Sequence, residues 1–590
     1  MTQMKNVFVK PEDQRELARF GLARKGRMKS KFLLTLMLLL GVATITYAAK
    51  ANPRRMTVTL EDGRTVLVAL RGDEHFHYLA TTRGEVVIKT ENNTYRIATA
   101  AEMASLREES TAADVRRKAA HKFPANTMPF PRIGTPRVLV VMMDFTDRNF
   151  KYSNADFDKW LNSTEYDTSY ASYTCYGSVA QYFNDCSGRK FRPQFDVVGP
   201  FKAKNASTYY GQNSGSSDMR SRYIELLKEA CQAADNAGTD FSKYDSNSDG
   251  YVDLLYVIYA GYSEGSSGID NLIWPKSGSF SSYDGMPSYD GMNFYRYGLS
   301  NELFGRESDE VRLDGIGVFC HEMCHTLGMP DVYPTNDFGD AKNYDNQSME
   351  YWDLMDAGEY SGNGYYPTPL TAWEREWLGW TNELETMTPG EYTISPLFVG
   401  GKAYRVQNPA PADNNGDEFY ILENIPKGTG TGWYARMFNN GLLVTHIHYL
   451  ETEFTNYHNP NNIKGKPRWT IVPANGLLLS SYHQDYSPQE IIANYKGNTF
   501  PGSENVTILE HWNEYKPTMP YKLTDITTNS NGSVSLKMID TTTGIEAVTT
   551  GKPADCDNRV FTIDGRYAGN DINALPAGLY ISNGKKILRK

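Results

Sequence analysis

The segment His321–Asp331, with the sequence HEMCHTLGMPD, constrains this chain more than any other. On a helix, His321 and His325 stand four residues apart and project from the same face, so their imidazoles can hold one Zn²⁺. Glu322 can reach a water on that metal without being a ligand itself. The spacing therefore predicts a zinc hydrolase site with two histidine ligands and Glu322 as the catalytic residue.

A turn behind these residues brings a further carboxylate toward the predicted metal. Gly328 stands where a helix is commonly ended by a residue in the left-handed conformation. Asp331 then follows six residues after His325, and the turn can bring its carboxylate back. Downstream, residues 351–356 (YWDLMD) resemble the methionine turn beneath many zinc peptidase sites. This context favours a zinc site over a structural helix with incidental histidines.

The N-terminal region predicts a secretory signal. An apolar run, Phe32–Thr46, follows a cluster of Lys and Arg, and Ala49-Lys50-Ala51 offers small residues around a cleavage point. The run is too short for a comfortable membrane span, and no Cys follows it to carry a lipoprotein anchor. We therefore expect translation to start at Met28 and a signal peptide over residues 28–51.

The charge balance excludes one class of partner. The formal net charge is −10, and residues 1–51 are strongly basic, so the rest of the chain is more acidic still. An acidic chain binds nucleic acid poorly because the phosphates repel it. No nucleic-acid partner is expected. The acidity suits an extracellular protein that binds calcium, and an ordinary solvated surface explains it equally well.

Changes in pattern divide the remainder into four segments, because 590 residues exceed what one core can hold. Residues 52–133 combine short strands with a charged helix and end in a Pro-rich joint, which favours a propeptide over a plain N-terminal accessory domain. Residues 134–388 alternate buried strands and helices, which is typical of an α/β catalytic domain. Residues 389–545 have the short alternating runs of an antiparallel β-sandwich, and residues 546–590 form a separate small module.

A second loop carries oxygen ligands at alternate positions, namely Asp245, Asn247, Asp249, Tyr251 and Asp253. Gly250 supplies the sharp turn, as in an EF-hand loop, where Ca²⁺ takes about six to eight oxygens. The twelfth position is Tyr256 instead of Glu, and an apolar strand follows in place of a helix. A structural calcium site is favoured, with a purely structural Asx-turn loop as the alternative.

Six cysteines are few for a disulfide scaffold. Cys175 and Cys186 are close enough in sequence to close a small loop, and the sequence leaves their pairing open. Cys320 and Cys324 flank His321 one helical turn apart, on a face rotated away from the histidines. We expect these two to be core thiols and not zinc ligands.

An ordered series of motifs resembles the immune inhibitor A family of secreted bacterial zinc metallopeptidases. The likeness covers about residues 70–540 and includes GDEHFHYLATTRGEVV, RVLVVMMDFTD, SVAQYFNDCSGRKFRPQFDVVGPF, HEMCHTLGMPD, YWDLMDAG and AWEREWLGW. It implies a multidomain α/β plus all-β protein, with a zincin-like metallopeptidase domain preceded by a propeptide and followed by a β-sandwich. By this resemblance His321 and His325 are zinc ligands and Glu322 is the general base. The extended motif points to Asp331 as the third ligand, and Glu350 is the alternative.

The C-terminal module resembles the sorting domain of the type IX secretion pathway of Bacteroidetes. The likeness rests on residues 564–566 (DGR), residues 575–580 (LPAGLY) and the Lys-rich end. It implies the secretion machinery as a partner, and a secreted or outer-membrane location in a Gram-negative bacterium. The alternative is a small β-rich cap.

Together these features predict a secreted, zinc-dependent endopeptidase that is made as a zymogen and acts on proteins or peptides. The rival hypothesis is a surface binding or adhesion protein whose zinc site is a relic. A zinc hydrolase for a small non-peptide bond is a third hypothesis, which the propeptide disfavours. Chelator-sensitive cleavage of casein by a processed form would separate the three.

Overall fold

The computed structural model describes residues 46–90, 92, 94–120, 130–170, 173–335, 348–380, 383–409, 417–428, 430–454, 459–462, 467–480, 486–512, 519–542, 560–563, 566–569, 571–582 and 585–589. Residues 28–45 of the predicted signal, most of the predicted Pro-rich joint and Cys556 lie outside the described residues. The chain divides into two compact units, residues 1–538 and 539–590. Within the described ranges, no helix is long and apolar enough to cross a membrane.

The N-terminal domain is an antiparallel sheet with a helix packed against it. Its five strands lie in chain order: Met56–Thr59, Thr65–Asp73, Phe76–Thr81, Val86–Lys89 and Tyr95–Ile97. The helix Ala100–Ala120 follows them and packs on the sheet through Ala113. The sequence predicts the helix and four of the strands. It misses Phe76–Thr81, because that strand is buried on both faces and lacks the alternation of a one-sided strand.

The central domain is built on a six-stranded mixed sheet. Its strands lie in the order Thr46–Ala48, Lys276–Ser279, Arg296–Asn301, Leu255–Tyr259, Arg137–Asp144 and Gln194–Lys202. The last four strands run parallel to one another. Thr46–Ala48 pairs antiparallel with Lys276–Ser279, and Lys276–Ser279 pairs antiparallel with Arg296–Asn301. We call Lys276–Ser279 the cleft strand. Without Thr46–Ala48 it would be the edge strand of the sheet.

Two hydrophobic cores lie on the two faces of this sheet. Alternate residues of Arg137–Asp144 enter different cores, which explains why its sequence is apolar throughout. One core receives the helices Asn154–Asn162, Val179–Cys186 and Gly317–Thr326, and the other receives Arg220–Asn236. The sheet is therefore covered on both sides and supports the helix that carries the zinc motif.

Shorter elements complete this part of the chain. The helices are Ser207–Tyr210, Glu264–Ser267, Ala372–Trp377, Glu451–Phe454 and Pro488–Tyr495. The 3-10 helices are Phe241–Tyr244, Glu350–Trp352, Ala357–Gly364, Leu397–Val399 and Gly432–Arg436. Two small two-stranded sheets pair Thr168–Tyr170 with Tyr173–Cys175 and Tyr251–Val252 with Asn293–Phe294.

The next domain consists of two sheets that share one core. The five-stranded sheet has the order Leu384–Thr386, Ala403–Gln407, Asp417–Ile425, Gly441–Tyr449 and Trp469–Ile471. The three-stranded sheet has the order Gly390–Ile394, Val534–Asp540 and Tyr521–Thr528. Apolar residues from both sheets form a single cluster. The strand Leu384–Thr386 pairs in parallel, which differs from the expectation of a purely antiparallel domain.

The C-terminal unit has a four-stranded antiparallel sheet of its own. Its order is Tyr567–Gly569, Val560–Thr562, Gly578–Ser582 and Lys585–Arg589. The 3-10 helix Ile572–Ala574 lies between two of these strands in sequence. The strands at Val560 and Gly578 agree with the small strands expected from the sequence.

Candidate metal centre

The predicted zinc motif lies on the helix Gly317–Thr326, which we call the metal helix. All ten of its residues are buried, and the ring of Phe319 stacks on Tyr256 of the central sheet with 3.8 Å between ring centroids. Just past the end of the helix, Gly328 has a φ of +96°, which a residue with a side chain rarely adopts. The chain therefore turns back sharply at this point, toward Asp331.

The two histidines of the metal helix direct the same ring nitrogen to one point. His321 Nδ1 lies 2.9 Å from the carbonyl oxygen of Leu354, and His325 Nδ1 lies 2.8 Å from that of Met329. A carbonyl oxygen only accepts hydrogen bonds, so each Nδ1 carries a proton and each Nε2 is the ring nitrogen left to bind a metal. The two Nε2 atoms are 3.1 Å apart. A cation bound between them would be in reach of both nitrogens.

Asp331 completes this group of ligand atoms. Its Oδ1 lies 3.3 Å from Nε2 of His321 and 3.2 Å from Nε2 of His325. The N–H of Val332 donates to the carbonyl oxygen of Met355 at 2.9 Å, which holds the Asp331 loop against the methionine turn. Tetrahedral zinc with bonds of about 2.0–2.1 Å separates its ligand atoms by about 3.3 Å. The three observed separations fit zinc, and no other such convergent group occurs among the described residues.

Glu322 is fully buried beside these ligands. Its Oε1 accepts a 2.8 Å hydrogen bond from the backbone N–H of Ala49, and its Oε2 has no hydrogen-bond partner in the described structure. Burial raises the pKa of Glu322 well above its ordinary value, and the charges of Glu359 and Asp331 raise it further. A bound cation would offset those charges and favour the ionised form that acts as a base.

Glu359 also belongs to the site, although no sequence motif marks it. Its Oε2 lies 3.9 Å from Nδ1 of His321. Burial raises the pKa of Glu359 to about 8. Burial alone would lower the pKa of His321, but Glu359 and Asp331 together raise it to about 10. The site thus gathers the buried carboxyl groups of Glu322, Asp331 and Glu359 around the two imidazoles.

The comparison with known families places these residues in one domain. Residues 132–382 match the family model described as immune inhibitor A peptidase M6, catalytic domain. This range contains the metal helix, Asp331 and Glu359. We call residues 132–382 the peptidase domain, after the family that they match. The resemblance inferred from the sequence motifs is therefore confirmed for this part of the chain.

The chain is also similar to curated proteins named as a metalloprotease and as immune inhibitor A. The chain is 25% identical over 328 residues to the Pre-pro-metalloprotease PrtV of two Vibrio cholerae serotype O1 strains, which is 48% of this chain and 34% of the relative. It is 24% identical over 391 residues to Immune inhibitor A of Bacillus thuringiensis subsp. alesti, which is 56% of this chain and 52% of the relative. The chain thus spans about a third to a half of the length of these relatives.

An extended segment, Thr46–Asn52, lies in the cleft of the peptidase domain; we call it the N-terminal segment. Its first three residues pair antiparallel with the cleft strand, Ala48 opposite Lys276. Next, the N–H of Ala49 donates to Glu322, and its carbonyl oxygen accepts from Nε1 of Trp274 at 2.7 Å. The side chains of Ala49 and Lys50 are almost fully buried. The segment therefore covers the face of the site where Glu322 lies.

Glu350, the alternative third ligand, lies in a neighbouring pocket and outside the convergent group. Its Oε1 is 3.6 Å from Nζ of Lys50, and its Oε2 accepts a 3.5 Å hydrogen bond from the hydroxyl of Tyr495. Its backbone N–H donates to Oδ2 of Asp356 at 2.7 Å. Glu350 has a φ of +51°, which is uncommon for a residue with a side chain. This conformation aims its carboxylate at the pocket that holds Lys50.

The predicted calcium loop uses its side-chain oxygens to bind its own backbone. Asp245 accepts from the N–H groups of Asp249 and Gly250, at 3.0 and 2.9 Å. Asp249 accepts from the N–H of Tyr251, and Asp253 accepts from the N–H of Ser246, each at 3.0 Å. These bonds shape an Asx-turn loop with Gly250 at a φ of +83°. Asn247 accepts in the same way, from the N–H of Asp249. Calcium binding here remains a prediction.

The described cysteines are free thiols. Cys175 and Cys186 are both buried and unpaired, so the disulfide left open by the sequence does not form in this structure. Cys320 and Cys324 are buried in the hydrophobic core that the metal helix faces. They pack as core residues and do not take part in the convergent group, as expected from their helical face.

Proposed function

We propose that this protein is a zinc-dependent endopeptidase that acts outside the cell on proteins or peptides. One observation carries the proposal: His321, His325 and Asp331 present three ligand atoms 3.1 to 3.3 Å apart, next to the buried carboxylate of Glu322. The match to a peptidase family and the name Pre-pro-metalloprotease of the Vibrio cholerae relatives support the same activity. A zincin-like arrangement fits the metal helix packed on a mixed sheet with an antiparallel cleft strand.

The proposed mechanism assigns a separate task to each group. Zinc bound by His321, His325 and Asp331 would polarise the substrate carbonyl and lower the pKa of a water molecule. Glu322 accepts the proton of the attacking water and returns it to the leaving amine. The Leu354 and Met329 carbonyl oxygens keep both imidazoles in the tautomer that presents Nε2. Met355 is fully buried below the site and acts through packing alone.

We further infer that the protein is made in a latent form. The N-terminal segment lies where a substrate would approach Glu322, and the N-terminal domain holds it there. Ala51 N–H donates to the carbonyl oxygen of Gly72 at 2.9 Å, and His77 Nε2 lies 2.9 Å from Glu264 of the peptidase domain. Burial alone would lower the pKa of His77, but Glu264 raises it to about 9, so His77 is protonated at neutral pH. Residues 52–133 therefore act as a propeptide.

The pairing of Thr46–Ala48 with the cleft strand and the burial of Ala49 and Lys50 favour a signal boundary upstream of Thr46, in place of the boundary at residue 51 that the small residues suggest. The domain at residues 389–545 suits a β-sandwich, because its two sheets enclose one core. Export through a sorting module at residues 546–590 stays a proposal that rests on sequence resemblance.

The decisive experiment replaces Glu322 by Gln in the processed protein. The variant should keep one zinc per chain and lose about 10²–10⁴-fold in kcat/KM on casein or a quenched peptide, because the general base is gone. A chelator should abolish the wild-type activity and added zinc should restore it. Glu385→Gln, the same change on an exposed strand, serves as the control. Proteolysis retained by the Glu322 variant would refute the mechanism, and zinc binding without any cleavage would favour the adhesion hypothesis.

A further inference from the structure

The N-terminal segment occupies the cleft in the manner of a substrate. Extended peptides commonly bind by adding a strand to the exposed edge of a sheet, and Thr46–Ala48 adds to the edge that the cleft strand would otherwise present. The nitrogen of the peptide bond between Ala48 and Ala49 lies 2.8 Å from Oε1 of Glu322. That nitrogen stands where the general base would protonate a leaving amine. Ala49 therefore marks the first residue after the scissile bond, and Lys50 marks the second.

The side chain of Lys50 enters a buried acidic pocket. Its Nζ is 2.8 Å from Oδ1 of Asp356 and 3.6 Å from Oε1 of Glu350. It also lies 5.7 Å from the centre of the Tyr333 ring. The hydroxyl of Tyr360 donates to the carbonyl oxygen of Lys50 at 2.5 Å, so both the main chain and the side chain of this residue are held. The pocket thus receives a long cation on an extended strand.

The two carboxylates of this pocket and the ammonium of Lys50 are buried together. Asp356 and Glu350 expose 0% and 3% of their side chains, and Lys50 exposes 4%. Buried charges need a partner, and removing one member of a buried pair leaves the other uncompensated. When the N-terminal segment leaves the cleft, both carboxylates lose the ammonium of Lys50. A Lys or Arg side chain of a substrate on the same strand path restores that partner.

We propose that Glu350 and Asp356 form a substrate subsite that selects Lys or Arg at the second residue after the scissile bond. This inference rests on the proposed peptidase function and adds a specificity to it. Glu350 is the specificity-determining residue that can be tested, since Asp356 also caps the backbone N–H of Ala357 and accepts from that of Glu350. Beyond the pocket, a groove of about 680 Å³ between Asn52–Arg55 and the side chains of Tyr351, Phe438 and Tyr495 continues the path of the chain.

The test uses the processed enzyme and three quenched peptides that differ only at this second position, where they carry Lys, norleucine or Glu. Norleucine keeps the apolar stem of Lys and removes the charge. The Lys peptide should exceed the norleucine peptide in kcat/KM by roughly 10- to 100-fold, and the Glu peptide should be the poorest, because hydrogen bonds to charged groups are strong. Mass spectrometry of the products confirms which bond is cut.

Glu350→Gln should reduce the Lys to norleucine ratio by about 10-fold, whereas the exposed control Glu385→Gln should leave the ratio as in the wild type. Each ratio is taken within one variant, so a general loss of activity cancels. Equal cleavage of all three peptides by the wild type would overturn the subsite and leave the peptidase function standing. An unchanged ratio in the Glu350 variant would also overturn it. If no peptide is cleaved, the proposed function fails, and the affinities of the Glu322→Gln enzyme for the three peptides still decide the subsite.

Discussion

Replacing Asp331 by Asn tests the third zinc ligand without depending on catalysis. Its Oδ1 lies 3.3 and 3.2 Å from the two Nε2 atoms, against about 3.3 Å for a tetrahedral ion with bonds of about 2.05 Å. The substitution keeps the shape of the side chain and removes its charge, so it changes one ligand and little else. We expect both histidines to remain in place, because their Nδ1 atoms stay bound to Leu354 and Met329.

A lower limit can be set on the zinc affinity that Asp331→Asn loses. Changing a group that only orients a zinc ligand costs about 10–100-fold in metal affinity. Asp331 touches both ligand nitrogens directly, so its loss should cost at least about 100-fold, which is about 2.7 kcal/mol. Glu350→Gln is the matched control, because that buried carboxylate lies outside the convergent group. It should change zinc affinity by less than about threefold, a difference of well under 1 kcal/mol.

The assay is a competition between the purified protein and a chromophoric zinc chelator, with zinc content measured after dialysis. It needs no substrate and no processing, so it reports on the ligand set alone. Wild-type zinc affinity in the Asp331 variant, or a loss of about 100-fold in the Glu350 variant, would refute the assignment and make Glu350 the ligand.

Three further outcomes are expected. Lys50→Met should lower the free energy of unfolding of the unprocessed chain by about 3–5 kcal/mol, because Glu350 and Asp356 lose a buried partner. Denaturant titration measures this loss. The same substitution should raise the activity of the unprocessed chain toward casein. Burial raises the pKa of Asp314 to about 7. The protonated side chain therefore contributes about 4 kcal/mol of stability, which is fully present below about pH 4 and is lost as the pH rises through about 7. Asp314→Asn should reduce this pH dependence of the free energy of unfolding, as measured in unfolding experiments from pH 4 to 8. If the loop at Asp245 binds calcium, then calcium at about 100 times its Kd should add about 2.7 kcal/mol to the free energy of unfolding. Asp245→Asn should abolish that gain. An unchanged melting temperature in calcium would favour the Asx-turn alternative.

The elements nearest the zinc motif were predictable because local patterns determine them. The apolar run before Asp144 forms a strand that is buried on both faces, and Thr371 opens the helix Ala372–Trp377 through a capping box with Glu374. The strand Phe76–Thr81 escaped prediction because it has no exposed face. The parallel pairing of Leu384–Thr386 was equally hidden, since pairing direction depends on partners distant in the sequence.

The candidate site also has some residues that the sequence predicts and others that it does not. A spacing of four residues on one helix brings His321 and His325 together, and no tertiary information is needed for that. Glu359 and the carbonyl oxygen of Leu354 come from 38 and 33 residues beyond His321, where no motif points to them. The sequence also does not predict that the N-terminal segment occupies the cleft, because its small residues indicate a cleavage point and no binding role. Contacts of this kind become readable only when the chain is folded.

The choice between Asp331 and Glu350 shows why spacing alone left one ligand undecided. Both carboxylates follow the metal helix in sequence, and either could return to the metal through a turn. Two backbone features separate them: the N–H of Val332 binds the methionine turn and brings Asp331 to the imidazoles, and the positive φ of Glu350 directs its carboxylate to Lys50. The strained conformation at Glu350 costs on the order of 1–3 kcal/mol, which a folded protein keeps only where the surroundings hold it. A residue held at that cost next to the candidate metal site, and paired with Lys50 of the strand in the cleft, is better explained by the proposed substrate subsite than by metal binding.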